Sequence, residues 1–131
     1  MTDKVVVLVT CGSGEEAERI ARALVEERLA ACVTVTQPVR SLYRWQGKVC
    51  DEPEVLLSIK TSRPLFDRVR RAVEKLHSYE VPEVVCLPII DGAPNYLNWL
   101  DGALRGEAEP APAAGPTKPR PVKPRAPKRK K

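Results

Sequence analysis

The chain has 131 residues, 43% hydrophobic and 30% charged, with a formal net charge of +5. That length suits one domain, and no apolar run approaches the roughly 18 residues of a membrane span. Residues 107–131 hold eight Lys/Arg and two acids, so the remainder, with 14 bases and 15 acids, is nearly neutral and the basicity belongs to the tail.

Lys4 to Thr10 is almost wholly β-branched and apolar, which predicts a central strand buried on both faces. Ser13-Gly14-Glu15-Glu16 has the spacing of a capping box, with Ser13 as N-cap and Glu16 reaching back to it. The helix is expected to run to about Leu29, placing Ala17, Ile20, Ala21, Leu24, Val25 and Arg28 on one stripe. Cys32 to Thr36 and Glu54 to Thr61 then read as the arms of one long hairpin. Gln46-Gly47 supplies the turn, since glycine takes the positive φ that a tight hairpin needs. Before it, Leu42 and Arg44 alternate with Tyr43 and Trp45, while Pro38 and Pro53 mark a bulge or an edge. Each arm could reach about 40 Å, more than a domain of this size needs. The surplus edge and apolar surface call for another copy of the chain.

Ser62-Arg63-Pro64 opens a second helix with Leu65, Val69, Ala72, Val73 and Leu76 inward. His77 to Pro82 leads into a strand at Val84 to Ile90, interrupted by Pro88. Asn95 is the expected cap of a short last helix carrying Tyr96, Trp99, Leu100 and Leu104. The order β-α-β-β-α-β plus a terminal helix predicts an α+β, ferredoxin-like subunit over residues 1–106. Residues 107–131 carry seven of the 13 prolines and no aromatic residue, the composition of a disordered, partly polyproline tail.

Topology gathers Cys11-Gly12-Ser13, the hairpin tip and the His77 to Glu80 connector at one end of the sheet. A thiol just before a helix N-terminus is expected to have a lowered pKa. Thiolate plus imidazole favours copper or zinc, so Cys11 and His77 are candidate metal ligands, with Glu80, a water or a neighbouring subunit completing a weak site. The same residues admit a structural reading, in which Cys11 is a strand-end residue and His77 balances the helix dipole. Cys32 and Cys86 read as core filler and Cys50 as exposed. Four scattered cysteines without a leader segment read as reduced thiols in a cytosol. No third catalytic group, oxyanion-hole motif or Gly-rich phosphate loop accompanies Cys11 and His77, so neither an enzyme nor an organic cofactor is expected. The tail's Lys and Arg, spaced by proline, would touch nucleic acid or other polyanions without reading sequence.

Several segments together resemble the CutA family of divalent-cation tolerance proteins. They are Leu29-Ala30-Ala31-Cys32-Val33, Ser41-Leu42-Tyr43-Arg44-Trp45-Gln46-Gly47-Lys48, Glu54-Val55-Leu56-Leu57-Ser58-Ile59-Lys60-Thr61, Tyr79-Glu80-Val81-Pro82-Glu83, Leu87-Pro88-Ile89 and Tyr96-Leu97-Asn98-Trp99-Leu100. The resemblance covers about residues 4–105. It implies a ferredoxin-like subunit in a compact homotrimer, binding of divalent metal, copper(II) in particular, a role in metal tolerance, and a cytoplasmic location. A second reading makes the chain a PII-like trimeric regulatory module. In it, Tyr43, Trp45 and Tyr79 line clefts between subunits that take a small anionic metabolite.

Overall fold

Strand β1 (Lys4–Cys11) lies inside the sheet, and its β-branched run explains why. It pairs antiparallel with β4 (Lys48–Ser62) on one side and with β5 (Val85–Pro88) on the other. Strand β2 (Cys32–Val35) adds to the far side of β4, giving the order β2-β4-β1-β5. Strand β3 (Val39–Trp45) pairs with the outer part of β4. The computed structural model describes residues 2–106, so the expected tail at 107–131 lies outside the described residues.

Val5, Val7 and Val9 of β1 and Val55, Leu57 and Ile59 of β4 alternate onto one face of the sheet. Helix α1 (Gly14–Glu26) covers it with Ala17, Ile20 and Leu24, and helix α2 (Phe66–Leu76) with Val69 and Val73. This is the ferredoxin-like arrangement that the element order predicts. Helix α3 (Pro94–Arg105) packs near β4 and buries Leu100. Its Asp101 reaches the buried Lys4 ammonium at 2.9 Å, while Asp3 lies 2.6 Å from the same nitrogen.

Local chemistry moves several expected boundaries. Helix α1 ends at Glu26 rather than near Leu29, because Arg28 takes φ 59° and the N–H groups of Leu29 and Ala30 both close onto the Leu24 carbonyl. Arg28 is therefore no part of the helical stripe; its guanidinium donates to the Ala103 carbonyl at 2.7 Å and ties the two helix ends together. The first hairpin arm is divided. Thr36 N–H bonds to Leu56 and Val39 faces Glu54, so Gln37 and Pro38 share the space opposite Val55. That is a bulge, the place where a proline without an N–H is tolerated. Gln46 (φ 51°) and Gly47 (φ 82°) form the two-residue turn between Trp45 and Lys48. The second helix is entered through a 3-10 turn at Arg63–Leu65. Asn95 does not cap α3; Ala93 occupies that position and Pro94 supplies the preset φ of the first turn.

Candidate functional site

Two clusters meet at the end of the sheet where β1 stops. The first is buried and begins with the capping box, of which only half forms. The Ser13 hydroxyl accepts the Glu16 N–H at 3.2 Å, as the spacing predicts. The Glu16 carboxylate does not return to Ser13. It crosses to the connector after α2, where it accepts the Ser78 N–H at 2.5 Å and the Ser78 hydroxyl at 3.2 Å. Next to it, His77 Nε2 donates to the Thr10 carbonyl at 2.7 Å, and Nδ1 accepts the Tyr79 N–H at 3.1 Å. A carbonyl can only accept and an amide N–H only donate, so these bonds place the ring proton on Nε2. The Tyr79 ring leans on the imidazole, with centroids 4.7 Å apart.

Cys11 Sγ, a Glu16 carboxylate oxygen and a His77 ring nitrogen all lie within 4.8 Å of one another, and all three residues are buried. Burial, followed by the charges of Glu16 and Glu54, pushes the Cys11 thiol up to about 12. This reverses the expected lowering, because a helix N-terminus offsets little when the sulfur is out of water and faces two carboxylates.

The second cluster is an open cleft of about 530 Å³ between the hairpin and the connector. Tyr43 and Trp45 of β3, Glu54 of β4, and Tyr79, Glu80 and Glu83 of the connector line it. The Tyr79 hydroxyl donates to the Glu54 carboxylate at 2.7 Å. Burial, then that bond, raises the Tyr79 phenol well above its ordinary pKa. Gly12 makes room for the phenol, since a Cβ there would sit 3.0 Å from the Tyr79 oxygen.

The fold brings Cys11 to His77, and Tyr43 and Trp45 to Tyr79, each within a single chain. Glu80 joins the cleft, while Glu16 is the carboxylate beside Cys11 and His77. Glu16, Ser78 and Glu54 went unforeseen. Glu16 was claimed by the capping-box pattern, and nothing local to Glu54 or Ser78 announces partners 25 and 62 residues away.

Does the buried trio suit a divalent cation as it stands? It does not. The Nδ1 lone pair is held by Tyr79, Nε2 carries a proton, Glu16 is engaged by Ser78 and the thiol is strongly protonated. Metal ligation needs a thiolate and a free imidazole lone pair. The arrangement is a polar clasp that fastens the α2–β5 connector to α1 and β1.

A profile of the family described as CutA1 divalent ion tolerance protein matches residues 5–103. The chain is 52% identical over 95 residues to the divalent-cation tolerance protein CutA of Thermus thermophilus, covering 72% of this chain and 92% of that protein. It is 46% identical over 92 residues to mouse Protein CutA, covering 70% of this chain and 52% of the mouse protein. Among solved structures, the Thermus thermophilus protein superposes with TM-score 0.72 at 50% identity, over 74% of this chain and 94% of that one. CutA from Xylella fastidiosa gives TM-score 0.76 at 38% identity, over 79% and 99%.

Proposed function

The chain belongs to the CutA1 divalent ion tolerance family, and from that premise we propose a non-enzymatic homotrimer that meets divalent cations weakly at the carboxylates of its cleft. One observation carries the reading: Glu54, Glu80 and Glu83 line the cleft, and no basic side chain stands among its lining residues. Oxygen donors of this kind take hard or borderline divalent ions, copper(II) included. The same lining disfavours a small anionic metabolite beside Tyr43, Trp45 and Tyr79, because an anion would face unscreened negative charge. Cys11 and His77 become ligands only if the clasp opens and the thiol loses its proton.

The trimer reading draws support from the surface. Leu42 and Val49 share one face of the hairpin, and Val85 and Leu87 lie in the edge strand β5 with Ile90 just beyond it, each between 43% and 72% exposed. Strands β2 and β5 are both sheet edges. Closing such edges in a ring of identical chains removes the exposed backbone groups and the apolar patch together. Unpaired cysteines at 11, 32, 50 and 86 suit a reducing compartment, and we place the protein in the cytoplasm.

Light scattering at micromolar concentration should return three subunits; a folded single subunit would overturn the assembly. Calorimetric titration with copper(II) should give weak binding that Glu80→Gln/Glu83→Gln reduces severalfold and Cys11→Ser leaves intact. The opposite pattern would return the cation to the buried trio.

A further inference from the structure

We propose that the cleft is the docking site of the chain's own basic, proline-rich segment at residues 120–129. Three independent observations converge on this occupant, and the proposal does not depend on the cation reading above.

The first is charge. The cleft presents Glu54, Glu80 and Glu83, whereas residues 107–131 hold eight Lys/Arg against two acids. The body itself is nearly neutral, and a second, smaller cavity beside α1 carries Arg22 among its acids Glu18 and Glu26.

The second is periodicity. A polyproline helix repeats every three residues. Pro121, Pro124 and Pro127 are spaced by three and would share one ridge of such a helix, while Arg120, Lys123 and Arg129 would share a neighbouring one. An aromatic-lined groove flanked by acids is the surface that such a ligand fits, because prolines lie on rings and bases reach carboxylates. Tyr43 and Trp45, 40% and 42% exposed, supply the rings, and Glu80 and Glu83 stand beside them.

The third is reach. The described chain ends at Gly106, beside Arg28 at the far end of α1 from the cleft. Pro121 follows 15 positions later, a span of roughly 45 Å in polyproline geometry. That is about three times the radius of gyration of about 13 Å typical of a body this size. A tethered segment also works at an effective concentration in the millimolar range, so weak contacts suffice to hold it. Docking would cover Glu80 and Glu83, and cations would then compete with the tail.

The test uses the full chain. Backbone amide NMR of the wild type is compared with Arg120→Glu/Lys123→Glu/Arg125→Glu at low salt. Amides at 41–45 and 79–83 should shift between the two, and high salt should erase the difference. A synthetic peptide of residues 118–131, added to the reversed-charge variant, should restore the wild-type positions. In a chain also carrying Glu80→Gln/Glu83→Gln, the peptide should bind at least severalfold more weakly. Cleft amides that ignore the tail reversal would overturn the proposal. So would peptide binding that is unchanged by the carboxylate substitutions, which would mean general polyanion-like attraction elsewhere on the surface.

Discussion

Glu16 on α1 and Ser78 after α2 are joined by two hydrogen bonds across 62 residues of sequence, at 2.5 Å and 3.2 Å. The carboxylate is buried, so its partners must be supplied by the protein. The bond anchors the connector that carries His77, Tyr79 and Glu80, and with it one wall of the cleft.

Glu16→Ala should therefore cost about 2–3 kcal/mol, the range for a lost charge-assisted bond whose donor stays out of water. Ser78→Ala, which keeps the N–H, should cost less than half as much. Chemical denaturation of both variants measures this, and equal losses would contradict the assignment of the N–H as principal donor.

Cys11 makes the protein sensitive to alkali. Its folded-state pKa is raised from an ordinary 9.0 to about 12. A raised value means stability is fully present below about pH 9 and is lost as pH rises toward 12. Within that window the loss approaches roughly 1.4 kcal/mol per pH unit from this group alone. Cys11→Ala should flatten the decline, leaving the share due to Tyr79. In the native protein below pH 9, Cys11 should resist a thiol reagent that modifies the half-buried Cys50.

Tyr79→Phe would leave the Glu54 carboxylate, 6% exposed, without its donor. A destabilisation of about 1–3 kcal/mol is expected. Gly12→Ala should reproduce part of it, because the new methyl would displace the phenol from Glu54. Thermal unfolding of the two single variants and the double variant tests this. Additive losses would show that the methyl acts elsewhere.

At low pH the control passes to Asp101. The Lys4 bond holds its carboxyl below the usual 3.8. A depressed value contributes stability above the ordinary pKa and loses it as pH falls through the folded one. Asp101→Asn should therefore lower stability at neutral pH and narrow the gap from wild type in strong acid. A gap that does not depend on pH would contradict the ion pair.

The sequence was most informative where local rules and tertiary packing agree. The β-branched run at Val5 to Val9, the Ser13 cap and the Gln46-Gly47 turn all form as read, because each is decided by neighbours within a few residues. Ends decided by distant contacts were not legible. Arg28 leaves the helical stripe and its guanidinium reaches Ala103, 75 residues away, and the hairpin arm is divided by a bulge that depends on register against β4. At the site, convergence of Cys11 with His77 followed from strand direction alone. The carboxylate beside them did not, since Glu16 has a satisfactory local role and gives it up for Ser78. The lowered thiol pKa failed for a related reason: burial is a property of the fold, and no window around Cys11 reveals it.

X-ray absorption of the zinc-loaded protein tests the central claim, that cations meet the cleft carboxylates and leave the clasp closed. Oxygen ligands lie at about 2.0–2.2 Å from zinc and thiolate sulfur at about 2.3 Å. The account predicts a shell of light atoms, depleted in Glu80→Gln/Glu83→Gln and unchanged in Cys11→Ser. A sulfur shell in the wild type that vanishes in Cys11→Ser would contradict it.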